Sequence, residues 1–327
     1  MRLLPLVLFT LSIATSAAAS CGGTDLRTTL STAERQELDA AVADTPFPNG
    51  NHWRATRGDA IIHLIGTVHL DDPRLDGPEA QVRPVIEGAG KLLLEMTPAD
   101  EKALQRDLTS NPDMLLLTDT TLPELMDDAA WEALAEAVAA RGIPPFMAAK
   151  FQPWYLSMLL GIPPCAAATL TEGRGLDKRL SDIAEAADVP MAPLEDYRTV
   201  FAVFASAPLE EQVRMMESAI IDTQMSEDMF ATIISSYMDE STAEGWEVMR
   251  LLSYRASPLP EAEIDAAFDS MEELLLIQRN RDWIPVILDA AGPEPIVVAA
   301  GAAHFPGKNG VLALLEAEGF AIKRQPF

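Results

Sequence analysis

The 327 residues carry 50 Asp and Glu against 24 Lys and Arg, a formal charge of −26, with no basic cluster suited to a phosphate backbone. Nucleic acid is therefore excluded as the expected partner. Hydrophobic residues make up 48% of the chain, enough to bury a core, so the acidic excess reads as a solvated surface rather than as disorder.

The chain opens on "MRLLPLVLFTLSIATSAAAS", with Arg2, an apolar stretch from Leu3 to about Ile13 and small residues at Ala17 to Ala19. This pattern predicts a secretory signal over residues 1–19, cleaved near Ala19, and a mature chain of residues 20–327 that forms one domain, periplasmic or secreted. The apolar stretch is too short for a membrane span, and no later run supplies one. Cys21 follows the small residues directly, so lipidation is an alternative, although Ala18 stands where such a signal usually has Leu. Two cysteines in an exported chain favour a Cys21–Cys165 disulfide, with two free thiols as the other reading.

Four short apolar runs bounded by Gly, Pro or a charge read as buried strands: residues 60–69, 91–96, 189–195 and 295–300. Helical patterns lie between them. "TLPELMDDAAWEALAEAVAARG" offers Thr121 as cap, Pro123 in the first turn, apolar positions at Leu125, Trp131, Leu134 and Val138, and Gly142 as stop. Further helices are predicted at about 146–160, 175–187, 207–222, 226–239, 242–253 and 261–288. The expected fold class is α/β or α+β: a mixed sheet built from strands of both chain ends, with a large, mostly helical section over about residues 100–290 inserted between them. Met215, Met216, Met225, Met229 and Met238 fall at helical spacing in that section. Such methionines are usually adaptable core, and a peptide-binding groove is the sharper alternative.

The chain has four histidines, and two of them recur in one pattern. "IIHLIGTVHL" ends an apolar run on Gly66 and reaches His69 three residues later; "PIVVAAGAAHF" does the same with Gly301 and His304, 235 residues further on (304 minus 69). Strand ends in an α/β sheet face a crevice where ligands commonly bind, and glycine lets the backbone turn and approach a ligand closely. Glu95 ends the run "LLLE", where an unpaired charge is costly to bury. A metal ion or an arginine would relieve that cost. Two imidazoles and one carboxylate suit a divalent ion such as Mn, Co or Zn, with a position left open for water. His63, inside its strand run, and His52, in a stretch that reads as turn or surface, are set aside.

The motifs "LIGTVHL", "LLLEM", "GLDKRLSDIAEAADVPMAPLED", "LIQRNRDWIPVI" and "GAAHFPGKNGVLALLEAEGF", in that order from about residue 50 to the C-terminus, resemble the TraB/GumN family, relatives of the Tiki metalloproteases. The resemblance implies a fold shared with the erythromycin esterase and ChaN group, a mixed α/β core in which strands from both ends of the chain meet. Its pattern matches Gly66, His69, Glu95, Gly301 and His304, and adds Arg279 and Asn280. On a helix, Arg279 would either pair with Glu95 or stabilise an oxyanion on substrate. Arg281 points elsewhere and reads as surface charge. Asp177 and Glu195 also lie in matching motifs, Asp177 as a cap or pairing residue at a helix start, Glu195 as a supporting partner or general base.

The function this implies is a metal-dependent hydrolase, with a peptide or protein substrate taken from the resemblance alone. His69, His304 and Glu95 are the expected ligands, and Glu95, Glu195, Arg279 and Asn280 the expected catalytic groups. There is no His-Glu-x-x-His motif, so it would not be an ordinary zincin. Two other readings stay open: a protein of the same fold that binds metal, haem or peptide and breaks no bond, and an esterase.

Overall fold

In "IVVAAG", successive side chains point to opposite faces of a sheet, and both sets are apolar. That pattern suits a strand covered on both sides. The computed structural model describes residues 21–167, 173–205, 207–257 and 259–327, and it places this run at the centre of a six-stranded sheet. The predicted signal, residues 1–19, lies outside the described residues. The strands are β1 (His52–Arg57), β2 (Ala60–Thr67), β3 (Lys91–Leu94), β4 (Met191–Pro193), β5 (Ile296–Gly301) and β6 (Ala321–Arg324), in the order β4-β3-β5-β2-β1-β6. β4, β3, β5 and β2 run parallel, and β1 is antiparallel to both β2 and β6.

The sheet is therefore mixed and draws on both ends of the chain, as expected. β4 divides the helical section in two, between β3 and β4 and between β4 and β5. On one face Leu64, Leu93, Val298 and Ala300 pack against Trp283, Ile287, Val311 and Leu315. On the other, Ile65, Leu92, Leu94, Val297 and Ala299 meet Val82, Ile86, Leu176 and Leu180. A further apolar cluster, which includes Leu134, Leu156 and Met216, lies within the helical section. Met216 is buried while Met215 is half exposed, so the methionines are partly core and partly surface.

Several elements differ from the sequence reading. The helix expected from Thr121 to Gly142 is two, Leu122–Leu125 and Asp128–Ala140, because the Asp127 carboxylate accepts from the Ala130 N–H and caps a new start. The segment 146–160 is likewise split into Pro145–Ala148 and Pro153–Leu160; each piece begins on a proline, which has no N–H to continue a preceding helix. His52, read as turn or surface, is buried on β1, where its Nε2 lies 3.1 Å from His63 Nδ1 and its Nδ1 2.9 Å from the Pro326 carbonyl. Cys21 and Cys165 form the expected disulfide. Among the described residues no helix is long and apolar enough to cross a membrane.

Candidate active site

The register sets the strand ends side by side. Thr67 of β2 pairs with Gly301 of β5, Leu94 of β3 with Ala299 of β5, and Leu94 also with Pro193 of β4. The residues that follow, His69, Glu95, Glu195 and His304, thus emerge at one edge of the sheet, at the carboxyl ends of its parallel strands. Further bonds tie these ends together. The Gly301 N–H donates to Glu95 Oε1 at 2.6 Å, and the Leu194 N–H to the Leu94 carbonyl at 2.7 Å. Beneath His69, the Gly66 carbonyl accepts from the buried Tyr237 hydroxyl at 2.9 Å.

Arg279 and Asn280 come from the helix Gln278–Ala290, directly after a π-helical turn at Glu273–Ile277. A π turn shifts the helical register, and such turns recur at functional sites. Here the buried stripe runs Arg279, Asn280, Trp283, Ile284, Ile287. The Arg279 guanidinium lies among four groups. Nη2 donates to Glu95 Oε2 at 2.7 Å and also to Glu195; Nε donates to Glu195 Oε1 at 2.9 Å; Nη1 donates to the Leu275 carbonyl at 3.0 Å and lies 3.4 Å from His304 Nε2. Arg279 is 7% exposed, and the side chains of Glu95 and Glu195 are 18% and 9% exposed. A buried arginine shared by two carboxylates is strongly held by charge-assisted bonds.

His304, 3% exposed, is fixed by Asn280. Asn280 Nδ2 donates to the Asn309 carbonyl at 2.9 Å, which turns Oδ1 toward His304 Nδ1 at 2.6 Å. A carbonyl oxygen only accepts, so Nδ1 carries the proton and Nε2 keeps its lone pair. Burial pushes the imidazole down to about 4, with Glu95 opposing, so the ring is neutral at ordinary pH. Trp283 packs on it, ring centroids 4.3 Å apart, and Arg279 Cζ lies 5.0 Å from the centre of the Trp283 ring.

His69 stands at the opening, its side chain 63% exposed, with Nδ1 3.3 Å from Asp177 Oδ1. No donor reaches that oxygen in hydrogen-bonding geometry, so the contact is a charge pairing rather than a directed bond. Asp177 raises His69 to about 9, and an ion bound at this ring would have to displace a proton from it. Burial opposes ionisation of Glu95, but His304, His69, Arg279 and the Gly301 N–H together outweigh it and hold the carboxyl well below its usual range. With His304 neutral, Arg279, His69 and the Gly301 amide supply that effect. The helix Leu176–Ala186 carries Asp177 to this place. Its Leu176 N–H donates to the Val68 carbonyl at 2.9 Å, and Gly175 packs so closely that a Cβ there would fall 2.5 Å from the His69 carbonyl carbon.

The structure therefore gathers Glu95, Glu195, Arg279, Asn280 and His304 into one bonded network, with His69 and Asp177 beside it. Arg281 is half exposed and pairs with Glu273. Three groups were not singled out from sequence. Trp283 lies one helical turn beyond Arg279, which is the signal that could have found it. The Trp283 Nε1–H and the Thr67 hydroxyl are buried without a hydrogen-bond partner among the described residues. Tyr237, distant in sequence, gave no such signal.

The donor set, two imidazoles and a carboxylate, is of the type that takes a divalent ion, and His304 has Nδ1 engaged by an oxygen acceptor, the arrangement common for metal-bound histidine. Among the described residues, however, no three His, Cys, Asp or Glu side chains are grouped closely enough to hold an ion together.

The fold and site define an α/β protein with a charged, partly buried polar centre at the carboxyl ends of its parallel strands. A sequence model of the TraB/PrgY/gumN family matches residues 51–324, and the chain belongs to that family. No curated protein matches it in sequence.

Proposed function

We propose that the chain is an exported hydrolase of peptide bonds that works with a divalent ion, Mn, Co or Zn. The observation that carries this reading is the Asn280–His304 arrangement, which keeps a buried neutral imidazole with its Nε2 lone pair turned toward the network of Glu95 and Arg279. The peptide substrate is taken from the resemblance to the TraB/GumN family, relatives of the Tiki metalloproteases, and the Cys21–Cys165 disulfide supports export to an oxidising compartment.

His69, His304 and Glu95 are the residues that would hold the ion, which would supply Lewis acidity and make water a better nucleophile there. The chain's own residues do the rest. Asn280 fixes the tautomer of His304, and Asp177 positions His69 through Nδ1. With Arg279 against it, Glu95 is too weak a base to take a proton from water. A guanidinium that has left Glu95 and stays on Glu195 frees that carboxylate and can stabilise the oxyanion of an attacked carbonyl. Glu195 keeps the guanidinium anchored as it does so.

The test is incubation of the purified protein with a peptide library and Mn, Co or Zn, beside the variants His69→Ala and His304→Ala. Cleavage by the wild type that falls at least a hundredfold in both folded variants is expected. A wild type that binds metal and cleaves esters but no peptide would point to an esterase, and one that binds metal and cleaves neither would point to a binding protein.

A further inference from the structure

We propose that Arg279 is a built-in competitor of the metal: its guanidinium takes the positions on Glu95 and His304 that a divalent ion needs, so the ion enters only when the arginine leaves Glu95. This rests on the metal-dependent reading of the site and adds how that site is kept closed.

Glu95 has two carboxylate oxygens. Oε1 is taken by the Gly301 N–H at 2.6 Å and Oε2 by Arg279 Nη2 at 2.7 Å. The lone pair of His304 that Asn280 leaves free is on Nε2, and Arg279 Nη1 is 3.4 Å from it. Two of the three ligand groups thus turn their donor atoms toward one guanidinium. A second cation at those atoms would face the first at a few ångströms in a poorly screened interior, where like charges repel strongly. The two cations therefore exclude each other at Glu95.

The arginine also has a place to go. Glu195 accepts from both Nε and Nη2, and the Leu275 carbonyl from Nη1. None of these bonds depends on Glu95, so the guanidinium can give up one carboxylate and remain paired with the other. Glu195, 9% exposed, keeps it from being stranded as an unpaired buried charge, which would be costly.

The experiment is titration calorimetry of the intact protein with Mn, Co and Zn, comparing wild type with Arg279→Gln, each checked for folding by circular dichroism. Arg279→Gln is expected to bind one ion at least tenfold more tightly, and adding His304→Ala to it is expected to abolish the gain. Equal or weaker binding by Arg279→Gln, with one ion bound by the wild type, would overturn the competition and leave the metal-dependent reading standing. No ion bound by either folded protein would overturn the metal-dependent reading, and the competition with it. Should Arg279→Gln fail to fold, Arg279→Lys serves instead. It keeps the charge but lacks the fork that spans two carboxylates, and at least threefold tighter binding is expected; no gain would contradict the proposal.

Discussion

Asn280 Oδ1 lies 2.6 Å from His304 Nδ1, and the amide cannot turn over without losing its bond to the Asn309 carbonyl. One side chain thereby decides which nitrogen of a buried histidine carries the proton. Replacing Asn280 with Ala leaves Nδ1–H without its acceptor inside the protein, at a cost of about 1–3 kcal/mol in stability. Chemical denaturation should show that loss. Nitrogen-15 NMR of the ring should show the single Nδ1–H tautomer of the wild type becoming a mixture. An unchanged tautomer in the variant would mean that something other than Asn280 fixes it.

The pairing of His69 with Asp177 has a titration signature. His69 is expected to titrate near 9 in the wild type, and to fall toward the ordinary value of about 6.5 in Asp177→Asn. Because the folded value is raised, the pairing contributes stability fully below the unfolded pKa and loses it as pH rises through about 9. With the ring 63% exposed, solvent screens the contribution and it is small. Ring-proton chemical shifts against pH measure this, and an identical midpoint in both proteins would rule the pairing out.

His304, His63 and His52 give the opposite sign. Burial lowers all three, His304 and His63 to about 4. The unfolded chain then takes up protons that the folded chain refuses as pH falls below about 6.5. The contribution of these three rings to stability is expected to be level above that point and to decline steadily between about 6.5 and 4. Urea denaturation at a series of pH values checks it, and His63→Gln should flatten the decline in part. A profile with no decline until carboxylates protonate would contradict the burial of these rings in neutral form.

Gly175→Ala tests how His69 is placed. A Cβ at this position meets the backbone of Val68 and His69 at about 2.5 Å, so the segment must shift. The variant is expected to fold with reduced stability and to lose the elevated titration of His69, as Asp177→Asn does. A Gly175→Ala protein that keeps wild-type stability and an unchanged His69 midpoint would show that the close packing is not what holds the histidine.

Much of this centre was readable from residues alone, and what was not has physical causes. β2, β3 and β5 are buried on both faces, so they stand out as unbroken apolar runs, and their ends announced His69, Glu95 and His304. The edge region did not. β1, "HWRATR", alternates only Trp53 and Ala55 toward the core, and β6, "AIKR", is four residues long and largely exposed. His52 was misread for that reason, since a polar strand beside a turn resembles the turn. Sequence left Arg279 a choice between an ion pair and an oxyanion because both need only a helix pointing inward. The structure supplies the missing distance: Arg279 bridges Glu95, 184 residues away, and Glu195, 84 residues away. Asp177 was visible as a helix-start residue, but its partner was not, since no local pattern joins residues 69 and 177.

The most direct test of the account is a crystal structure of the protein soaked with Zn and located by anomalous scattering. One ion is expected between His69, Glu95 and His304, with ligand distances of about 2.0–2.2 Å, and Arg279 paired with Glu195 alone. Arg279 still bonded to Glu95, with no ion at these three side chains at saturating Zn, would contradict it.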